Sequence, residues 1–172
     1  MEATPAIRIR RITREDGLTL RDLRLRSIAD APEAFGQPLE EARSRPEQEW
    51  HRSARQSSHG DNRTWLLAEL DRSVIGLVQG RKRRPRTLLL FSMWVDPSAR
   101  RLGVGRALID SLESWGRGWD ASETILWVYG ANDDAIEFYR ELDFEVIEGG
   151  QDAEAGTRFG ALAMRRDIHS PV

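Results

Sequence analysis

The chain has 172 residues, enough for one compact domain, and its composition of 40% hydrophobic and 31% charged residues is typical of a globular protein rather than a disordered one. A net charge of -2 argues against a surface dedicated to nucleic acid, and the lack of cysteine excludes disulfide scaffolds, thiolate metal sites and cysteine nucleophiles. The three histidines lack ligand-like spacing, so we expect no metal site.

The first residues and the apolar stretches of the sequence indicate where in the cell the protein is expected. Residues 1–6 lack the apolar run of a signal peptide, and the longest apolar stretch, Leu88–Val95, is too short to span a bilayer. These features predict one cytoplasmic domain over residues 1–172, with neither a membrane nor a nucleic acid as its partner.

The first third of the chain predicts one strand and two helices. The strand is marked by Ile7, Ile9 and Ile12. Asp16 is a predicted N-cap of a helix that runs to about Ala29. The apolar side of this helix would be formed by Leu18, Leu25 and Ile28. Proline and glycine in residues 30–36 end that helix, and a second, polar helix is predicted over Leu39–Arg55.

The rest of the chain predicts a sheet interrupted by two helices. The predicted strands are Thr64–Leu70, Val74–Gly80, Thr87–Val95, Thr124–Tyr129, Phe144–Ile147 and Arg158–Arg166. A strongly amphipathic helix is indicated by Val104, Leu108, Leu112, Trp115 and Trp119, and a shorter helix by Ala131–Glu141. The order β-α-α-β-β-β-α-β-α-β-β indicates a mixed α/β (α+β) domain with one central sheet.

The segment Met93–Arg106 carries the clearest chemical signal. A hydrophobic strand ends at Asp96-Pro97, and Gly103 and Gly105 then begin the amphipathic helix. The free N–H groups of a helix N-terminus favour an anion such as a phosphate, and neighbouring arginines add positive charge. The Walker A and Rossmann patterns both fail here. From the residues alone, the alternative to an anion-binding site is that the two glycines only allow a tight turn.

This segment resembles a known family. Arg100-x-x-Gly103-x-Gly105 is similar to motif A of the GNAT superfamily of acyl-CoA N-acyltransferases, and residues 132–144 resemble the family's later Asn-x-x-Ala-x-x-Phe/Leu-Tyr segment. The resemblance implies a mixed, mostly antiparallel sheet with helices on both faces. It also implies a V-shaped splay between strands Leu88–Val95 and Thr124–Tyr129, with acetyl-CoA as cosubstrate.

The resemblance also implies the site residues. Those expected to bind the cofactor are Met93, Trp94, Val95, Arg100, Arg101, Leu102, Gly103, Val104, Gly105, Arg106 and Asn132. Tyr139 is the implied general acid, and its spacing from Asn132 places both on one helix face. The structural alternatives are a helix N-cap for Asn132 and a core aromatic for Tyr139.

The sequence departs from the family pattern at two positions, one in the turn before Phe144 and one that concerns the acetyl acceptor. Asp143 stands where the family usually has glycine before Phe144, which puts the local turn in doubt. Trp127 stands where a branch that acetylates ribosomal protein N-termini has a glutamate base, so we favour a small-molecule or peptide amine as acceptor. Other candidates for the base are Glu33, Glu40, Glu41 and Glu69, each with the alternative of a solvated carboxylate, and a water relay is a further route.

Three matters stay open in the sequence. Residues 81–86, rich in arginine, read as a solvated turn between two strands, although an acidic partner or a homodimer contact is an alternative. The acidic loop Gly149–Gly156 is expected to flex over the acceptor side. We expect acetyl transfer by direct attack in a ternary complex, because no cysteine could form an acyl-enzyme, with a non-catalytic CoA-binding module as the alternative.

Overall fold

The computed structural model describes residues 6–83, 85–147 and 160–169. The strands are β1 (Arg8–Arg11), β2 (Arg63–Leu70), β3 (Ser73–Arg83), β4 (Thr87–Val95), β5 (Glu123–Tyr129), β6 (Glu145–Val146) and β7 (Ala161–Asp167). The helices are α1 (Gly17–Asp30), α2 (Pro32–Phe35), α3 (Leu39–Ser44), α4 (Glu47–His59), α5 (Val104–Arg117) and α6 (Asp133–Glu141).

The seven strands form one mixed sheet in the order β1-β2-β3-β4-β5-β7-β6, with helices on both faces as predicted. On one face, α5 and α6 enclose a core with residues such as Leu108 and Ile136. On the other face, α1 and α4 enclose a core with residues such as Leu23 and Trp50. Every strand pairing is antiparallel except that of β4 with β5. None of the helices described is long and apolar enough to cross a membrane.

The predicted splay between β4 and β5 is present. Their parallel pairing runs only from Thr87 opposite Glu123 to Leu90 opposite Leu126. Immediately beyond, the register of β4 against β3 shifts, and Ser92 takes a left-handed backbone with φ 51. Such a bulge bends a strand and increases its twist, which turns the second half of β4 away from β5.

Asp16 is at the predicted N-cap position, but the prediction that its side chain caps the helix is wrong. Asp16 directly precedes α1, but its side chain makes no capping bond to the helix. The carboxylate instead accepts two hydrogen bonds from Arg10, at 2.7 and 2.9 Å, and one from the Thr13 amide at 2.7 Å. The bidentate ion pair with β1 draws the carboxylate away from the helix axis.

The apolar side of α1 is also shifted from the predicted one. Leu18 is 51% exposed, whereas Leu20 and Leu23 are buried against the sheet, with Ile28 as predicted. The α1 sequence carries no clear 3.6-residue stripe, so the packing against α4 and β2 decides which leucines are buried.

The predicted second helix is divided into two. Pro46 separates α3 from α4, and Arg45 before it is extended at ψ 126, as steric conflict with a following proline requires. The helix then continues to His59, beyond the predicted end. A short helix, α2, occupies the segment predicted to be irregular, with Pro32 as its first residue and Gly36 as a left-handed cap.

Two hairpin turns join β2, β3 and β4. Asp71 and Arg72 link β2 to β3 with φ values of 48 and 69, the pattern of a type I′ turn. At the arginine-rich connection, β3 pairs with β4 up to Arg83 opposite Thr87. Its expected solvation is only partial, because Lys82 lies over the Trp119 ring at 4.9 Å and Arg86 donates to the Asp120 carbonyl at 2.8 Å. The loop Gly149–Gly156 lies outside the described residues.

A Schellman motif ends α6, which explains the departure at Asp143. The Phe144 amide donates to the Tyr139 carbonyl and the Asp143 amide to the Arg140 carbonyl, both at 3.0 Å. Asp143 takes the left-handed position with φ 63, where glycine is usual. The Tyr139 and Phe144 rings, 5.6 Å apart, supply the hydrophobic contact that accompanies this motif. The turn is therefore formed although Asp143 replaces the usual glycine, and Asp143 has a strained backbone conformation.

We expect Asp143→Gly to raise the free energy of unfolding by about 0.5 kcal/mol, since relief of left-handed strain exceeds the added entropy of the unfolded chain. Asp143→Ala should lower it by about 1 kcal/mol, because alanine lacks the local hydrogen bonds with which aspartate tolerates this conformation. Urea denaturation of the three proteins measures both. Equal midpoints for glycine and alanine would contradict the assigned strain.

Candidate functional site

A cavity of about 900 Å³ lies beside the end of β4, beyond the point where this strand parts from β5. It is lined by the end of β4, the first turn of α5, the inner face of α6 and the segment joining α1 to α2. Ten of the predicted cofactor-binding residues, together with Tyr139, line it: Met93, Trp94, Val95, Arg100, Arg101, Gly103, Val104, Gly105, Arg106 and Asn132. Leu102 does not line the cavity, since its side chain is 54% exposed on the outside of the turn. The structure thus brings together residues from four separate stretches of sequence.

The two glycines before and in α5 serve different purposes. Gly103 caps α5 with φ +83, and a Cβ atom there would meet nothing within 4 Å. A Cβ atom on Gly105 would lie 2.8 Å from the Phe138 ring, so this glycine allows α5 to pack against α6. The open space at Gly103 leaves the free N–H groups of the first turn accessible, which suits an anion.

The charged residues around this turn are of two kinds. Arg101 and Arg106 are exposed, and neither forms an ion pair with a carboxylate of the described residues. The Arg100 guanidinium instead contacts the protein itself, where Nε donates to the Val95 carbonyl at 3.0 Å and Nη2 to Asp30. A role for Arg100 in holding a cofactor stays a prediction.

Asp30 is a site residue that the sequence reasoning missed. Its carboxylate accepts from the Trp94 indole at 2.9 Å as well as from Arg100, and so joins the end of α1 to the end of β4. The neighbouring Arg26 binds Asp96 and lies over the Trp94 ring at 5.3 Å. These contacts fix the conformation of β4 beyond its bulge. Asp30 is the last residue of α1, two positions before a proline, so the local sequence pattern indicated only the end of a helix.

Asn132 is the N-cap of α6. Its Oδ1 accepts from the Ala135 amide at 3.1 Å, which satisfies one of the free donors of the first turn. The side-chain amide group is then available to donate into the cavity that Asn132 lines. The capping alternative is therefore correct, and it is compatible with cofactor contact.

Tyr139 lies between Phe138 and Phe144, with ring centres 5.2 and 5.6 Å away. Its relative exposure is 7%, and it borders the cavity. Burial raises the pKa of Tyr139 above its usual value, so the hydroxyl stays protonated at neutral pH. A buried, protonated phenol at a cavity wall can donate a proton or a hydrogen bond.

None of the four predicted base candidates lines the cavity; its acidic lining residues are Asp30 and, on α6, Asp134, Glu137 and Glu141. Glu33 is exposed, Glu40 pairs with Arg43 at 2.6 Å, Glu41 accepts from Gln37 at 3.5 Å, and Glu69 pairs with Arg10 at 2.5 Å. Trp127 lies just past the parting of the strands, stacked on Phe91 with ring centres 5.8 Å apart. Within the described ranges, no group of three histidine, aspartate or glutamate side chains could hold a metal ion.

Comparison with known proteins agrees with this geometry. A family model described as the acetyltransferase (GNAT) family matches residues 25–144, more than half of the chain. An acetyltransferase of the GNAT family from Streptococcus pneumoniae is 20% identical with a TM-score of 0.74, over 95% of this chain and all 100% of that one. The PaiA N-acetyltransferase from Thermoplasma acidophilum, solved in complex with coenzyme A, is 18% identical with a TM-score of 0.74, over 94% and 99% of the two chains. No curated protein matches the chain.

The cap at Asn132 predicts a difference between two substitutions. Asn132→Ala should lower the free energy of unfolding by about 1 kcal/mol, because the Ala135 amide loses its acceptor. Asn132→Asp should leave it nearly unchanged, because aspartate caps a helix as well as asparagine does. Thermal unfolding of both variants measures the difference, and equal losses would show that Asn132 is no cap in solution.

Proposed function

The chain belongs to the GNAT acetyltransferase family, and on this premise we propose that it transfers an acetyl group from acetyl-CoA to a primary amine by direct attack in a ternary complex. The observation that carries the proposal is the cavity between the parted strands, where an unpaired stretch of β4 and the open N-terminus of α5 face the same space. A long thioester with a pyrophosphate needs both of these features.

The turn before α5 would hold the pyrophosphate. The first-turn N–H groups after Gly103 supply donors, and Arg101 and Arg106 supply positive charge. The PaiA structure, which was solved with coenzyme A, supports CoA as the ligand of this fold. Leu102, exposed on the turn, would contribute its backbone only.

The bent end of β4 would hold the thioester arm. Past Leu90 this strand has no partner in β5, so the backbone of Met93, Trp94 and Val95 would pair with the pantetheine amides like a neighbouring strand. Backbone N–H groups of Trp94 and Val95 near the thioester oxygen would stabilise the tetrahedral intermediate. The Asp30 contacts keep this stretch in place before a substrate arrives.

The transfer itself forms one bond and breaks another. The amine nitrogen bonds to the thioester carbonyl carbon, and the carbon–sulfur bond of the tetrahedral intermediate then breaks. Tyr139 gives its proton to the departing sulfur, and a water relay carries the proton lost by the amine back to the phenolate, since none of the four predicted glutamates reaches the cavity. Asn132, fixed by its cap, would donate its amide hydrogens to the cofactor.

The acceptor we propose is a small-molecule or peptide amine. Trp127, stacked on Phe91, occupies the position of the glutamate base used by the branch that modifies ribosomal protein N-termini. Thiol release from acetyl-CoA with a panel of amines, from diamines and amino acids to short peptides, tests the proposal. Tight CoA binding without thiol release on any amine would favour the alternative, a non-catalytic CoA-binding module.

A negative charge at Gly103 should weaken CoA binding. Gly103→Asp and Gly103→Asn form a matched pair, because both side chains tolerate a left-handed backbone and differ mainly in charge. We expect the Kd for CoA to rise at least about tenfold in the aspartate variant and clearly less in the asparagine variant, because of repulsion by the phosphates. Calorimetry measures both affinities. Equal affinities in the two variants would show that the pyrophosphate does not bind at this turn.

Loss of the Tyr139 hydroxyl should slow the reaction without weakening CoA binding. A positioned general acid contributes about 10²–10⁴-fold, so Tyr139→Phe should lower kcat at least about tenfold. The control is Tyr129→Phe, which removes the chain's other tyrosine hydroxyl outside the cavity and should leave kcat unchanged. Steady-state kinetics and a CoA titration provide the measurements. An unchanged kcat in Tyr139→Phe would make the residue a packing aromatic, with water protonating the thiolate.

A further inference from the structure

Arg24 of α1 is a half-buried cation without a carboxylate partner among the described residues. Its Nη1 is shielded from solvent and has no hydrogen-bond partner, and its Nη2 reaches only Gln37, at 3.4 Å. Nearby arginines differ in this respect, since Arg26 pairs with Asp96 and Arg45 with Glu49. A charge partly withdrawn from water without an anionic partner does not favour folding, so a ligand that supplies the anion would stabilise this arrangement.

The surroundings of Arg24 do not remove its charge. Burial, together with the like charge of Arg45, lowers the pKa of Arg24 to about 10, which still leaves the guanidinium protonated at neutral pH. Its flat faces lie 5.1 Å from the Phe35 ring and 6.0 Å from the Trp65 ring, measured from Cζ to the ring centres. Aromatic rings favour a nearby cation but offer no oxygen to its N–H groups.

The aromatic side chains of the same core also lack hydrogen-bond acceptors. The indole nitrogens of Trp50 and Trp65 are buried without a partner, and both residues belong to the core cluster beneath α1. Indole and guanidinium groups can only donate hydrogen bonds. What this region lacks is therefore an acceptor, and the charge of Arg24 favours an anionic one.

Arg24 lies one side chain behind the wall of the cavity. Phe35, which contacts the guanidinium, also lines the cavity. On the sheet, Trp65 pairs with Gln79 and Gln79 with Phe91, so a row of side chains runs from Arg24 to the point where β4 and β5 part. Two strand spacings, about 10 Å in total, separate β2 from β4.

We infer that the amine acceptor carries a carboxylate and that Arg24 binds it. This inference rests on the proposed function, because the carboxylate belongs to the same acceptor as the amine. The single uncompensated charge matches a carboxylate rather than a doubly charged phosphate. The acceptor class is a primary amine with a carboxylate at the far end of a short chain, such as an ω-amino acid or a short peptide with a free C-terminus.

Paired probes that differ only in charge test the inference. Binding of β-alanine, 4-aminobutyrate, 6-aminohexanoate and triglycine to the CoA-loaded protein is compared by calorimetry with binding of the corresponding amides, and thiol release from acetyl-CoA is measured for each. At least one carboxylate should bind about tenfold or more tightly than its amide, as a charge-assisted hydrogen bond requires.

Substitutions of arginines on α1 identify the group responsible. Arg24→Met keeps the aliphatic stem between the rings, and it should abolish the preference for the carboxylate while raising Tm, because an unpaired buried charge is removed. Arg24→Lys should retain part of the preference. The control, Arg21→Met, removes a charge from the same helix and should change neither quantity.

The outcomes separate this inference from the proposed function. Equal binding of every carboxylate and its amide, or a preference that survives in Arg24→Met, would overturn the role of Arg24. A lower Tm in Arg24→Met with an unchanged preference would make Arg24 purely structural. Carboxylate binding that depends on Arg24 without any thiol release would support the carboxylate site at Arg24. It would contradict the proposed acetyl transfer.

Discussion

The early parting of two parallel strands is the constraint on which the site depends. Parallel pairing between β4 and β5 ends at Leu90 and Leu126, and the bulge at Ser92 turns β4 aside. A strand edge buried without hydrogen-bond partners is unfavourable, so the gap must be filled by solvent or by a ligand with its own amides. A pantetheine chain has this chemistry, which is why a break in the sheet can serve as a binding groove.

The helices that border the gap are fixed by close packing rather than by propensity. Gly105 lets α5 approach Phe138, while the Schellman motif and its ring contact hold Tyr139 at the end of α6. On the far side of the turn, Arg166 binds Glu113 of α5 at 2.8 Å and donates to the Leu142 carbonyl at 2.8 Å. These contacts hold together the wall of the cavity that carries the Tyr139 ring.

Charge pairing distinguishes the two sides of the cavity. On the cofactor side, Asp30 neutralises Arg100 and leaves the exposed cations Arg101 and Arg106 for a polyanion. On the side of α1 and α2, Arg24 is half-buried, its Nη1 is shielded from solvent, and it lacks a carboxylate among the described residues. A buried guanidinium attracts a single compact anion more selectively than an exposed one, because solvent does not compete. The two kinds of arginine therefore suit two different anions.

The sequence by itself determined the features that depend on neighbouring residues: the order of the seven strands, the helices α5 and α6 between them, the glycine turn before α5 and the spacing of Asn132 and Tyr139 on α6. It misplaced the apolar side of α1 and the cap at Asp16, and it missed Asp30. The tertiary structure alone decided these, because Asp16 meets Arg10 of β1, and Asp30 meets Trp94 and Arg100, 64 and 70 residues away. Short patterns set local conformation, whereas the partner of a charge is set by which distant segments the sheet brings together.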